Sequence, residues 1–287
     1  MNRVQLDAWM KERFAAGSGN VLTAAMADGH PELAGTVFFD RPLIGIAAAD
    51  DPLFEKFKSA EVVGPWHLSP REWLPEARSV LSFFFPFSER VRASNRIAPE
   101  RTSLEWLYGR IEGQEFLSSL LDELCAWLQA QGVLAVAPSR DSRFRVARGG
   151  QGTLAGFPGV SADTYASNWS ERHVAFAAGL GTFGLSKGLI TEKGMAGRLG
   201  SVVVDAQIEP TSREYDAVYE RCIQCGACVR RCPAHAISLR QGKKHPLCAA
   251  YLATQKRKYA PRYGCGKCQT AVPCEFRSPC GERTIAQ

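Results

Sequence analysis

Cys222-Ile-Gln-Cys225-Gly-Ala-Cys228-Val-Arg-Arg-Cys232-Pro233 is the stretch around which the chain is organised. Three cysteines at intervals of three residues converge on one centre, the pitch that wraps one corner of an iron–sulfur cubane. The fourth, followed by proline, turns away and ligates a second cluster. A zinc site or a disulfide knot fits less well, because zinc motifs rarely use consecutive two-residue spacers. Two clusters need four more ligands, and these lie downstream. Cys265-Gly-Lys-Cys268 is a pair, Ala271 stands where a third cysteine would repeat the first motif, and Cys248 can take the missing role. Cluster one is thus expected on Cys222, Cys225, Cys228 and Cys274, and cluster two on Cys232, Cys248, Cys265 and Cys268. Cys274 and Cys280 both follow Cys268 at workable distances; Cys274 is preferred because it is nearer and directly follows Pro273. Cys125 lies in an apolar helical pattern and reads as core.

Working outward, 287 residues with 45% hydrophobic and 22% charged content are those of an ordinary globular protein, long enough for two units. No signal peptide, twin-arginine leader or membrane span is legible in the sequence. Ten cysteines without a secretory signal point to metal ligation in a reducing compartment, so a cytoplasmic protein without a membrane partner is expected. Residues 221–287 hold thirteen Lys or Arg against Glu275 and Glu282, while the first 220 residues are net acidic. Two cubanes with their thiolates offset about four of those positive charges. The remainder compensates charge, or forms a docking face for an acidic electron donor or a nucleic acid.

Upstream of the cysteines, Val4, Leu6 and Trp9 suggest a short N-terminal helix. Residues 37–49 read as an extended segment broken at Arg41-Pro42, and 79–85 as a buried strand. His67 reads as an ordinary surface or core histidine. A helix is predicted over 115–131, stopped by Gly132, followed by a strand over 133–137 and a polar loop over 140–153. Asn168, with Glu171 three residues later, resembles the cap of a short helix that Gly179 ends. Gly179-Leu180-Gly181-Thr182-Phe183-Gly184 matches the spacing of a dinucleotide fingerprint, but it follows a helix instead of a strand. A glycine turn admitting a large flat ligand to the backbone is the better reading, with a tight helix-to-strand turn as the bland alternative. Residues 198–208 read as a strand and 209–216 as a boundary.

These two regions together make the chain resemble the epoxyqueuosine reductase family, relatives of the corrinoid reductive dehalogenases. In that family a segment D-T-x-P-x-x-E-R precedes A-x-x-A-G-L-G-x-x-G-K, and two 4Fe–4S clusters follow. Glu171-Arg172, Ala178-Gly179-Leu180-Gly181 and Gly184 match, as does the ligand order ending in Cys248 and Cys265-x2-Cys268. Trp73-Leu-Pro-Glu-Ala-Arg-Ser-Val80 is similar to the family's N-terminal domain, and the likeness spans residues 35–275. Asp163-Thr164 stands two residues further from Glu171 than the family's aspartate, the motif's proline is replaced, and the last spacing is Cys268-x5-Cys274 instead of x3.

The resemblance implies an α+β fold: a nitroreductase-like corrinoid-binding domain over 1–210, then a ferredoxin-like domain with two 4Fe–4S clusters over 211–287. It implies an iron–sulfur oxidoreductase in which the clusters pass electrons to a base-off cobalamin that reduces a small-molecule substrate. An external donor such as ferredoxin or flavodoxin would supply the electrons. Gly179, Leu180, Gly181 and Gly184 would line the cobalamin pocket, and Asp163, then Tyr165, then Glu171 would be the proton donors. Two alternatives stand beside this reading: a ferredoxin-type electron-transfer protein without corrinoid, and an epoxyqueuosine reductase acting on tRNA. The tRNA substrate is disfavoured, since no helical-repeat tail follows the clusters.

Overall fold

The computed structural model describes residues 1–15, 19–27 and 29–280, so the last seven residues of the expected 211–287 unit lie outside the described residues. From the N-terminus, α1 (Arg3–Ala15) leads to β1 (Leu43–Ala48), the short helices α2 (Pro52–Lys56) and α3 (Pro70–Trp73), and β2 (Ser79–Pro86). Helix α4 (Glu89–Ser94) and the long α5 (Leu104–Gln129) follow, then β3 (Ala135–Val136), the hairpin of β4 (Val146–Arg148) with β5 (Tyr165–Ser167), and α6 (Glu171–Ala177). A second hairpin, β6 (Gly181–Phe183) with β7 (Leu189–Thr191), precedes β8 (Gly197–Val204). The cysteine-bearing segment adds α7 (Ala227–Arg230), the hairpin of β9 (Ile237–Ser238) with β10 (Gly242–Lys243), and α8 (His245–Tyr259).

The main sheet is antiparallel, in the order β1-β2-β8-β3. Strand β2 runs through its centre and is buried at every residue, because side chains alternate between two faces and helices cover both. Leu81, Phe83 and Phe85 point into a core with Leu6 and Trp9 of α1 and Leu117, Leu121 and Leu124 of α5. Val80 points the other way, toward Trp169, Val174 of α6 and Val203 of β8. On β8, a Cβ at Gly200 would sit 3.1 Å from Leu117 and Leu121, which shows how closely α5 crosses that strand. Strand β3 reaches only Val203 and Val204, so from Gly197 to Val202 the outer edge of β8 has no strand partner among the described residues.

Several elements differ from the sequence expectation for identifiable reasons. Helix α5 begins at Leu104 instead of 115, capped by the Ser103 hydroxyl, which accepts from the Trp106 amide at 3.2 Å. Gly109 and Gly113 break the apolar pattern in its first turns because Phe87 and Phe39 lie over them, each 3.1 Å from where a Cβ would stand. Asn168 does not cap α6; Ser170 holds that position. The Asn168 side chain instead accepts from the Arg145 amide (2.8 Å) and donates to the Arg143 carbonyl (2.9 Å), pinning the 143–145 loop. The polar loop over 140–153 contains β4, the strand over 133–137 shortens to two residues, and the one over 198–208 ends at Val204.

The cysteine-bearing segment docks on α4, α5 and the start of β8. Gly266, with φ of +67°, lets the backbone press against Trp106, whose ring lies 2.0 Å from where a Cβ would be. Lys267 is fully buried and donates to the Asn95 carbonyl (2.9 Å), the Asn95 side-chain oxygen (3.1 Å) and the Ile97 carbonyl (3.4 Å). Glu275, 2% exposed, is held by Arg96 at 2.8 Å. Among the described residues no helix is long and apolar enough to cross a membrane.

Candidate functional site

The loops that carry the cysteines turn tightly. Gln224, His235 and Ala271 hold positive φ beside Gly226 and Gly266, conformations that bend the backbone around a centre and cost energy in ordinary loops. Burial pushes the Cys274 thiol up to about 12, and the nearby charges of Cys228, Cys222 and Cys225 act the same way. Cys222, Cys225, Cys228 and Cys274 also line one cavity with Met195. Cys280 stands apart, exposed, its thiol donating to the Glu220 carbonyl at 3.5 Å. Burial raises Cys265 to about 12, followed by the Cys268 and Cys248 charges, and Cys268 is raised by burial and by Cys248 and Cys232. Cys232, Cys248 and Cys268 share one apolar cluster with Ala236 and Ile237. Cys228 packs against that same cluster. It lies between the two sets of thiols, since Cys268 is the largest charge acting on it. Among the described residues no three His, Cys, Asp or Glu side chains close around a single ion. A four-iron cubane holds its cysteines at separate corners, wider apart than ligands of one ion.

Beside Cys268, side chains from α5, α6, β8, the β4–β5 hairpin and α8 come within reach of one another's charges and rings. Arg172 is exposed to solvent, yet surrounding protein desolvates it and lowers its guanidinium, while the Cys268 charge opposes that shift. Both facts hold for a side chain on the wall of a deep, open cleft. Burial, then the charges of Arg110 and Arg172, lower Arg198 to about 9. The Arg110 guanidinium lies 4.0 Å over the Tyr263 ring and donates to the Tyr263 carbonyl at 2.9 Å. Tyr165 stacks on His245 with ring centroids 5.6 Å apart, joining β5 to α8. Burial lowers His245 to about 4, aided by Lys243, Lys187 and Arg172, so it stands neutral in a basic wall.

Of the expected proton donors, Asp163 lies exposed in the turn before β5 and Tyr165 is half-buried against His245. Glu171 opens α6 beside Arg172. Its Oε2 accepts from the Ser201 hydroxyl at 2.7 Å, its Oε1 is buried without a partner, and burial raises its carboxyl to about 7. The Trp169 indole donates to the same Ser201 oxygen at 2.8 Å, which fixes the hydroxyl toward Glu171.

At the glycine turn, expected as a ligand cradle, this chain's own backbone comes close. A Cβ at Gly179 would lie 3.0 Å from the Ser212 carbonyl, and one at Gly181 would lie 2.1 Å from the Ile190 carbonyl. The missing side chains make room for this chain's own backbone, and Leu180 is buried with Phe176 and Phe183. Gly184 instead lines the cavity of the first thiol group. Arg110, Arg198, Tyr263 and His245 escaped the sequence reading. One signal was available: Arg198 in an otherwise apolar strand.

A 4Fe-4S binding domain matches residues 216–238, which hold Cys222, Cys225, Cys228 and Cys232. Among solved structures, the catabolic reductive dehalogenase NpRdhA is similar at a TM-score of 0.50 and 12% identity, over 82% of this chain and 30% of its own. The chain shares its fold with that dehalogenase. An epoxyqueuosine reductase from Bacillus subtilis gives a TM-score of 0.49 at 19% identity, over 83% of this chain and 62% of its own. Another, solved with an epoxyqueuosine-modified tRNA stem loop, gives 0.48 at 20%, over 83% and 62%. The chain spans less than two thirds of the length of each of these structures. No curated protein sequence matches it. A fold shared with that dehalogenase and a 4Fe-4S binding domain thus stand together in this chain.

Proposed function

We propose that the chain is an iron–sulfur reductase in two units, 1–210 and 211–287, with two 4Fe–4S clusters and a reducing site in the cleft. The observation that carries this reading is the gathering of the thiols, with Cys222, Cys225, Cys228 and Cys274 on one cavity and Cys232, Cys248 and Cys268 in one apolar cluster that Cys228 also touches. Cys222, Cys225, Cys228 and Cys274 would hold cluster one, on the side where Cys225 and Ile223 are exposed. An external donor such as ferredoxin or flavodoxin would meet that side. Cys232, Cys248, Cys265 and Cys268 would hold cluster two, next to the cleft. Two adjacent clusters make a path for electrons, and a path that ends on a cleft implies something there to reduce. The free thiols require a reducing compartment, for which we take the cytoplasm.

A base-off cobalamin suits the cleft, where Tyr165, His245 and Tyr263 offer flat rings and β8 offers an unpaired backbone edge. When bound, it would supply the low-valent cobalt chemistry that reduces a small-molecule substrate. This chain's own part is to position and to hold a proton. Glu171 keeps its carboxyl protonated near neutral pH because Oε1 is buried and unpartnered. We therefore place Glu171 ahead of Tyr165 and Asp163 as the acid.

Anaerobic reconstitution followed by iron and sulfide analysis and a cobalamin titration tests the reading. The expected result is about eight irons and eight sulfides per chain, with a change in the corrinoid spectrum on binding. Four irons would remove one cluster. Full clusters without any cobalamin response would favour an electron carrier, and conversion of epoxyqueuosine in tRNA would make tRNA the substrate.

A further inference from the structure

Several arginines of this fold meet a carboxylate: Arg96 pairs with Glu89 and Glu275, Arg140 with Asp122, Arg143 with Asp141, Arg213 with Asp51 and Arg262 with Glu112. Arg110, Arg172 and Arg198 form no ion pair among the described residues. Arg110 and Arg198 are held by neutral groups instead. Arg198 donates its Nε–H to the Gln114 side-chain oxygen at 2.9 Å, and its two terminal nitrogens donate no hydrogen bond among the described residues. Gln114 lies one turn of α5 beyond Arg110, so both guanidiniums are brought to the same helix face. Arg110 is braced from behind by the Tyr263 ring and carbonyl. Arg172 reaches the same space from α6, and its charge and that of Arg110 both act on Arg198.

Three like charges converging in a partly desolvated cleft destabilise the empty protein. Forks fixed by neutral partners, with their donors left over, match the bidentate geometry that guanidinium offers to carboxylate or phosphate oxygens. Glu171, beside Arg172 in sequence, does not neutralise them, since its Oε2 accepts from Ser201 and its Oε1 is buried without a partner.

We infer that Arg110, Arg172 and Arg198 form an oxyanion subsite in the cleft, and that the molecule reduced there carries a carboxylate or phosphate group. This rests on the cleft being the reducing site. The same three side chains would also accept the phosphodiester of a cobalamin's nucleotide loop, so the test separates the two sources.

Inorganic phosphate and benzoate are titrated by calorimetry into the reconstituted full chain at constant ionic strength, with and without saturating cobalamin. Saturable binding that persists beside cobalamin is expected. Arg198→Leu and Arg110→Met should weaken it about tenfold or more, the value of one charge-assisted contact. Arg172→Gln alters a solvent-facing side chain and serves if the other variants fold poorly; iron content and circular dichroism report folding. Binding that vanishes with cobalamin but persists with cobinamide, which lacks the phosphate, would assign the subsite to the cofactor and overturn the substrate inference. Absence of anion binding in chains with full iron and normal cobalamin uptake would overturn the subsite while leaving the reductase reading intact. Anion binding in a chain that takes no cobalamin would do the reverse.

Discussion

Glu171 and His67 both adjoin Trp169, Glu171 through the shared Ser201 hydroxyl and His67 by stacking, and they respond to pH in opposite senses. The Ser170 amide donates to His67 Nε2 at 3.4 Å, leaving Nδ1 buried without a partner, and the ring stacks on Trp169. Burial, then the charge of His173, lowers His67 from 6.5 to about 3, so the folded chain binds its proton later than the unfolded chain. The stability it contributes is complete above pH 6.5 and is lost as pH falls toward 3. Between pH 7 and pH 5 the loss at this one group is about 2 kcal/mol. Urea midpoints at both pH values should therefore fall more steeply in wild type than in His67→Phe; equal slopes would place the proton elsewhere. Glu171 is raised from 4.5 to about 7, so it stays protonated up to neutrality and costs stability as pH rises through that window. Infrared difference spectra should show a protonated carboxyl band that fades as pH passes about 7 and is missing in Glu171→Gln. In turnover, the same substitution should cost about 10²–10⁴-fold, the usual worth of a positioned acid. A larger loss in Tyr165→Phe would transfer the role to Tyr165.

At the level of elements, what could be read in advance was whatever depends on near neighbours in the chain. The thiol spacing from Cys222 to Cys232 carries its own geometry, and β2 announces itself as a short apolar run between prolines. The first turns of α5 did not, because Gly109 and Gly113 are small for reasons that lie in Phe87 and Phe39. The glycine turn had the residue types of a ligand cradle, yet the Ile190 carbonyl occupies the room beside Gly181. Gly181→Val should accordingly break the β6–β7 hairpin and cost about 1–3 kcal/mol or more, measured by denaturant unfolding. Retained stability with weakened cobalamin binding would restore the cradle. The cleft arginines come from α5, α6 and β8, more than twenty-five residues apart at every step, and no local pattern could have joined them. Gly266→Ala tests the docking of one element on another. With the Trp106 ring 2.0 Å from the new Cβ, the variant should lose iron from cluster two before cluster one, as judged by iron content and the remaining spectrum.

For the molecule as a whole, the choice between Cys274 and Cys280 decides how the chain closes on itself. The Cys274 carbonyl accepts from the Met195 amide at 2.9 Å, so this cysteine is tied to the strand region before β8. Cys274→Ser should lower iron by about half, whereas Cys280→Ser should leave it unchanged; the opposite outcome would exchange the fourth ligand. The Lys267 ammonium has a further consequence. It lies between two cysteines of the second group, and all three of its acceptors belong to Asn95 and Ile97. Residues 95–97 leave the ribosome long before residue 267 is made, and the first half of a chain generally folds first. The helices of that half thus present a finished socket to the late-emerging cysteines. Metal loading at these cysteines waits on a folded first half, and a nascent chain arrested before residue 265 should carry a formed sheet and bind no iron through Cys265 or Cys268.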